Sequence, residues 1–415
     1  MRRLLSLLVS LGLLGGAGLA AVASAPPAAA LNDITTFTAP NIGSPLSIVA
    51  GPDGNLWYAS SLGDRVGRIG PSGAITTFTN ANVDSPTDIT LGPDGNLWFT
   101  STSNNRIGRI TPAGTITTYT NANLDRPQSI AAGPDGSLWV TSFQNDRVAK
   151  ITTAGAITVF PANSNVDGPY DITGGPDGNV WFTSLSNSRI GRITPAGTIT
   201  TFTNADISGP QGITVGPDGN LWFASNYNSR IGRVTPGGTV TMFTGFQYGP
   251  RSLTTGPDGN LWVTLGANHK IARFVPSTGA VATFSSPQVE FPGGIDAGPD
   301  GNLWFTSGNG RIGRLSTPKC LGQVARVLVG AFGTPTAGSD VIVGTTGNDV
   351  VNAGGGDDRV CGRGGNDTLR GEAGADHLDG QAGSDTLNGG SETDQCAGGP
   401  GTDSATKCES TSGLP

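Results

Sequence analysis

The chain has 415 residues, of which only 13 % are charged, with 66 Gly, 28 Pro and a formal net charge of −7. That composition argues against a helical protein and for many short strands joined by tight turns. Residues 335–415 hold 13 Asp/Glu against 4 Lys/Arg and the rest is close to neutral, so there is no basic footprint for nucleic acid, and the acidic tail calls for a cation partner or plain solvation.

In chain order, the first element is an export signal over residues 1–30. Arg2-Arg3 is its basic start, Leu4 to Leu14 its apolar run, and small residues follow, with cleavage after Ala23 or Ala30. The apolar run is short and Gly-interrupted for a membrane anchor, which needs ~20 apolar residues. No other transmembrane run exists. The chain is therefore expected to be secreted or extracellular, with the cell surface as a possible location. Arg2-Arg3 lacks the polar motif that would establish twin-arginine export.

Residues 31–316 are a repeat array. The string Gly-Pro-Asp-Gly-x-[Leu/Val]-Trp occurs seven times, with Trp57, Trp98, Trp139, Trp181, Trp222, Trp262 and Trp304 at spacings of 41, 41, 42, 41, 40 and 42. One repeat reads as four strands: Asp88 to Leu91, Asn96 to Ser101, Arg106 to Thr111 and Thr115 to Thr120. The first and second are joined by the Gly92-Pro93-Asp94-Gly95 turn, the third and fourth by Pro112-Ala113-Gly114. Four strands per ~40 residues is the signature of a β-propeller blade; an open β-solenoid is the alternative. The Thr-rich fourth strand first occurs at Ile34 to Thr38, before the first full repeat, and is missing after Leu315. The N-terminal strand should therefore complete blade seven and close the ring.

The tryptophans are expected in the core between blades. Asp53, Asp94, Asp135, Asp177, Asp218, Asp258 and Asp300 are expected to be turn residues, not metal ligands. The longer loops share one face of the ring, and that face is the candidate binding surface. It would take an unidentified small-molecule, peptide or glycan ligand. Gln128, Tyr170, Gln211 and Arg251 could line the mouth of the ring, Glu290 is a lone carboxylate near it, and His269 reads as a solvated loop residue.

Ile-Thr-Leu-Gly-Pro-Asp-Gly-Asn-Leu-Trp-Phe-Thr (89–100), Arg-Ile-Gly-Arg-Ile-Thr-Pro-Ala-Gly (106–114) and their copies resemble the virginiamycin B lyase (streptogramin lyase) family. The resemblance covers residues 34–316 and implies a seven-bladed propeller. It also implies ring opening of a cyclic depsipeptide by elimination across an ester, with Mg²⁺ and a histidine base. The family's His position follows the Pro that opens a blade, and its Glu position lies fourteen residues on. The His positions hold Leu46, Thr87, Gln128, Tyr170, Gln211, Arg251 and Gly293. The Glu positions hold Ser60, Ser101, Ser142, Ser184, Ser225, Leu265 and Ser307. No blade keeps either residue, although elimination needs a base and a stabiliser for the enolate.

After a connecting segment at 317–336, residues 337–409 repeat every nine positions, leaving 410–415 as a tail. Asp340, Asp349, Asp358, Asp367, Asp376, Asp385, Asp394 and Asp403 hold one frame, and Ile342, Val351, Val360, Leu369, Leu378, Leu387, Cys396 and Ala405 hold the apolar place two residues later. The frame resembles the calcium-binding repeats of RTX proteins. Two nonapeptides make one coil. Same-side turns then pair Asp349 with Asp367 and Asp358 with Asp376 around Ca²⁺, which takes six to eight oxygens. Three gaps on each side leave room for at most six ions. Glu392 stands where a turn glycine is expected. A Gly/Asp-rich disordered linker is the alternative for this tail.

Four cysteines fit an oxidising compartment and allow three pairings; Cys320–Cys361 and Cys396–Cys408 are favoured as sequence neighbours flanking the tail domain. The expected fold is all-β, a seven-bladed β-propeller followed by a C-terminal parallel β-roll. The expected function is a calcium-ordered, non-catalytic binding or surface protein; the alternative is a carbon–oxygen lyase, with which Mg²⁺ would enter.

Overall fold

The computed structural model describes residues 34–329 and 334–414. The expected export signal lies outside the described residues. Among those described, no helix is long and apolar enough to cross a membrane.

Seven four-stranded antiparallel sheets form the ring. Blade 1 consists of Pro45–Ala50, Leu56–Ser60, Arg65–Ile69 and Ile75–Thr79, and blade 2 of Pro86–Leu91, Leu97–Ser101, Arg106–Ile110 and Ile116–Thr120. The innermost strand starts at its proline, two residues earlier than expected in blade 2, with a register shift between Pro86 and Ile89. Proline is tolerated there because the first residue of a strand need not donate to the ladder. Ile34–Phe37 pairs with Arg311–Leu315 as the outer strand of blade 7, with Ile34 opposite Leu315. The ring is closed by the first described strand of the chain.

Six of the seven tryptophans are 0 % exposed and Trp262 is 2 % exposed. Each packs on an aromatic in or next to the outer strand, stacked in five blades, as Trp98 on Tyr119 at 5.4 Å and Trp304 on Phe37 at 5.3 Å, and tilted for Trp222 on Phe243 and Trp262 on Phe284. The turn aspartates hold these indoles. Asp94 Oδ1 accepts the Trp98 Nε1–H at 3.0 Å, and Asp53 and Asp177 repeat the bond at 3.0 Å. Burial opposes ionisation of Asp94, but the hydrogen bonds from Asn96 and Trp98 outweigh it and hold the carboxyl below its usual range. The first glycine of the turn has no room for more: a methyl group on Gly92 would strike the Trp98 ring.

The tail is a two-sheet parallel coil. One sheet stacks Val327–Leu328, Val341–Val343, Arg359–Cys361, His377–Asp379, Gln395–Ala397 and Ser410–Ser412; the other stacks Val350–Gly355, Thr368–Ala373, Thr386–Ser391 and Ser404–Thr406. The sheet thus runs past residue 409. Ile342, Val351, Val360, Leu369, Leu378, Leu387 and Cys396 form its core. Both favoured disulfides are present. The left-handed turn position of Glu392 has φ +83°, the conformation glycine adopts there in other units.

Residues 317–329 of the connecting segment seat the roll on the tight-turn face of blades 6 and 7. A hairpin of Lys319–Cys320 with Gln323–Val324 leads into it. Cys320, Ala325, Val341, Val343 and Cys361 share one buried cluster with Trp262, Leu303 and Leu315. Beneath it the Arg273–Asp258 pair is sealed, at 2.5 Å and 1 % and 3 % exposed, whereas the equivalent Arg68–Asp53 pair is open to water. Among the described residues nothing covers the long-loop face, on the other side of the ring.

Candidate functional site

Every ladder aspartate is buried, with exposures from 0 to 8 %. From Asp358 on, Oδ1 of each accepts the backbone N–H of the aspartate eighteen residues earlier: Asp367 from Asp349 at 2.8 Å, Asp376 from Asp358 at 2.9 Å, Asp403 from Asp385 at 2.8 Å. The structure therefore brings together the same-side pairs read from the period. The second oxygen is different. Oδ2 of Asp358, Asp367, Asp376, Asp385, Asp394 and Asp403 is buried with no hydrogen-bond partner. Native proteins leave few such atoms, and each asks for an explanation such as an ion.

The surroundings fit a cation. A methyl group on Gly362 would collide with Asp367 Oδ2 and with the Gly380 carbonyl of the next coil; Gly371 and Gly380 repeat this with Asp376 and the Gly389 carbonyl, and with Asp385 and the Gly398 carbonyl. Carboxylate and carbonyl oxygens thus face the same glycine-lined space, the all-oxygen donor set that suits calcium. Among the described residues no three His, Cys, Asp or Glu side chains converge on one point, so carbonyls have to supply the rest of the shell. Burial, and then repulsion from neighbouring aspartates against one backbone hydrogen bond, push Asp358, Asp367 and Asp376 up to about 6.

The sign of the pH effect follows. These carboxyls bind protons more tightly folded than unfolded, so calcium-free stability is fully present below about pH 4 and is lost as pH rises through about 6. In calcium-free buffer the circular dichroism signal of the roll should strengthen from pH 7.5 to pH 5. A signal that weakens on acidification would count against this ladder.

A second set of carboxylates lines the bore of the propeller, and the repeat pattern did not single it out. Inner strands of blades 2, 3 and 4 place Asp88, Ser129 and Asp171 side by side. Ser129 Oγ lies 2.6 Å from Asp88 Oδ2 and 2.7 Å from Asp171 Oδ1. Asp88 also accepts the Ile130 N–H and Asp171 the Ile213 N–H, each at 2.8 Å, so each carboxylate ties its blade to a neighbour. Asp296 does the same for Ala50 across the ring closure at 3.0 Å. A serine carries one hydroxyl proton. Two short contacts at one Oγ therefore require a second proton, on a carboxyl. Burial and then the Asp88 charge raise Asp171 to about 7. Propeller melting temperature should accordingly fall between pH 5 and pH 8. Asp171→Asn should lower it overall, by losing one amide acceptor, and shrink that slope.

Asp88, Ser129 and Asp171 line a cavity of about 100 Å³ together with Thr87, Gln128, Tyr170 and Arg251. Gln211 is not in the lining; its buried Oε1 has no hydrogen-bond partner. A groove of about 580 Å³ continues across blades 2 to 4, with Arg126 5.5 Å over the Phe143 ring and Tyr170 edge-on to it at 6.3 Å. Tyr227, Tyr248 and Phe291 stand 55–68 % exposed on loops of the same face. Glu290 is exposed and lines neither cavity.

His269 is not a solvated loop residue. It is half-buried, its Nδ1 accepts the Phe291 N–H at 3.1 Å, and its ring meets Phe291 edge-on at 4.5 Å. Asp64, Asn105, Asp146, Ser188 and Ser229 accept the corresponding amide of the next blade elsewhere in the ring. The serines at the Glu positions are clips of the same kind. Ser101 Oγ, for example, accepts the Asp84 N–H at 2.8 Å and donates to the Asp84 carbonyl at 3.1 Å.

The Virginiamycin B lyase family model matches residues 27–208 and 203–350. The chain belongs to the virginiamycin B lyase family. A streptogramin B lyase structure is 29 % identical, with TM-score 0.64, over 68 % of this chain and 96 % of that one. A catalytically inactive virginiamycin B lyase from Staphylococcus aureus with quinupristin is 32 % identical, with TM-score 0.63, over 68 % and 98 %; the selenomethionine form from the same organism is 33 % identical over the same shares, also at 0.63. The RTX calcium-binding nonapeptide repeat model matches residues 334–369 and 370–405. No curated protein sequence matches this chain. This virginiamycin B lyase family member thus carries calcium-binding repeats behind its propeller. Its ring mouth does not fit the family's magnesium: Asp88 and Asp171 spend their oxygens on amides and Ser129, and among the described residues no third His, Cys, Asp or Glu side chain joins them.

Proposed function

We propose that this is an exported calcium-dependent binding protein. In this reading residues 1–30 direct export, the ladder aspartates hold calcium, and the uncovered long-loop face takes the ligand without performing elimination. The row of buried Oδ2 atoms with no partner carries the calcium reading. The groove beside the mouth, aromatic and polar with one Asp and one Arg, supports a ligand that presents flat apolar faces and hydrogen-bonding groups. The absence of catalysis rests on occupancy. The propeller's histidine and the serines at the Glu positions are engaged in backbone hydrogen bonds, and the two carboxylates that line the mouth, Asp88 and Asp171, are engaged by backbone amides and Ser129, so no unengaged base faces the mouth. Fold and family alone do not carry the chemistry over.

Isothermal titration of the full chain with CaCl₂ tests the first half; no heat and no bound ion would sink it. Incubation with quinupristin tests the second. Ring opening by elimination leaves the mass unchanged, so a shifted chromatographic peak with new unsaturation absorbance is the readout. Appearance of that peak would favour the lyase reading, which the family membership keeps in view. Fractionation of producing cells tests export.

A further inference from the structure

The calcium ladder is not uniform along its length, and its two ends depart from the period in opposite ways. At the N-terminal end the first two aspartates are already satisfied. Asp340 Oδ2 accepts the Thr336 N–H at 2.6 Å and the Thr336 hydroxyl at 3.0 Å; Asp349 Oδ2 accepts the same two groups of Thr345 at 2.6 and 3.0 Å. No later unit has threonine at this place. Gly354, Arg363, Glu372, Gln381, Gly390 and Gly399 occupy it, and there Oδ2 is unpartnered. Asp358 follows this rule although Ala353 stands where the later units carry a cradle glycine.

At the C-terminal end the nine-residue frame stops at Asp403, yet the ladder gains one more carboxylate. Asp394 N–H donates to Glu409 Oε2 at 2.6 Å, the same bond that each earlier aspartate makes to the one eighteen residues on. Glu409 is only fifteen residues away, brought there by the turn that the Cys396–Cys408 disulfide closes. Asp394 is 0 % exposed and its Oδ2 has no partner. A methyl group on Gly389 would meet that oxygen and the Lys407 carbonyl. This is the oxygen set of the interior gaps, with Glu409 in place of an aspartate.

We infer that Thr336 and Thr345 take the metal's place in the first coil, and that Glu409 completes an additional calcium site at the far end. This rests on the calcium reading of the roll. Five gaps are then built for an ion: Asp358/Asp376, Asp376/Asp394 and Asp394/Glu409 on one side, Asp367/Asp385 and Asp385/Asp403 on the other. The Asp340/Asp358 and Asp349/Asp367 gaps are not. The first two coils, which meet across these two gaps, are also the ones fused to the propeller, the first through Val341 and Val343 in the shared apolar cluster and the second through the Cys320–Cys361 disulfide. They therefore stand folded without calcium and template the coils that need it.

Calcium counting on the full chain by equilibrium dialysis tests this. Five ions are expected for the natural sequence and four for Glu409→Gln, which keeps the amide acceptor and so the fold. The double variant Thr336→Gly, Thr345→Gly should take up two more, glycine being the residue at that place in three later units. Hydrogen exchange in calcium-free buffer is the second readout: amides of Val341–Val343 and Arg359–Cys361 should stay protected while those of Thr386–Ser391 exchange. A count unchanged by Glu409→Gln, or equal exchange along the roll, overturns the inference. No calcium uptake at all overturns the reading of the roll on which it rests.

Discussion

Stripping calcium from the full-length protein should unfold the distal coils of the roll and leave the propeller standing. Two thermal transitions are expected, and only one of them should move with free calcium. The distal core supplies one apolar side chain per nine residues, with Leu369, Leu378 and Leu387 followed by the small Cys396 and Ala405. Against that, four ladder gaps each set two buried carboxylates facing one another across a coil. An ion held at a free concentration a hundred times its dissociation constant stabilises the folded state by about 2.7 kcal/mol per site. Several sites together exceed what so thin a core supplies. Circular dichroism and calorimetry with and without a chelator read this directly. A single transition indifferent to calcium would show that the apolar stack holds the roll alone.

The second large effect is expected at the ring closure. Trp304 is fully buried, stacks on Phe37 of the closing strand and donates to Asp300 Oδ1 at 3.1 Å. Trp304→Ala should cost roughly 3–5 kcal/mol, the range for emptying a buried aromatic site. For a propeller of this size that is on the order of a 10 °C fall in melting temperature. Trp98→Ala should cost a similar amount, but only Trp304→Ala loosens the N-terminal strand. Limited proteolysis should then cut the Trp304 variant near residues 38–44 and spare the Trp98 variant. Equal cutting in both would mean that Ile34–Phe37 is not what closes the ring.

The propeller was legible in the sequence because each blade has to solve the same packing problem, and the same indole recurs every ~41 residues. The ladder was legible because a coil of eighteen residues puts every ninth residue on a side. What escaped had no period. Asp88 and Asp171 look like ordinary polar positions of an alternating strand. Only the closing of the ring sets them on either side of Ser129, 41 and 42 residues away. His269 reads as a surface loop residue until the Phe291 amide of the next blade is seen against its ring. Glu409 lies outside the nine-residue count because the disulfide-closed turn shortens the last coil. The signal for Thr336 and Thr345 was present: two threonines at a place later filled by Gly, Arg, Glu or Gln. Its meaning appeared only with the Oδ2 contacts.

The pairing of Ile34 with Leu315 also sets an order of events. A chain made from its N-terminus holds its first strand without a partner until about 280 further residues have been laid down, so blades 1 to 6 can assemble one by one while blade 7 waits for both ends to meet. Closure over so long a loop is slow, and an open ring offers the unpaired edge of Arg311–Leu315 to any neighbouring molecule in the interval. The segment that follows that edge immediately, the Lys319–Val324 hairpin with its disulfide to the second coil, is built next to the last joint to form. Losing the Cys320–Cys361 bond should therefore show first in refolding yield at high protein concentration, before it shows in the melting temperature of molecules that have already closed.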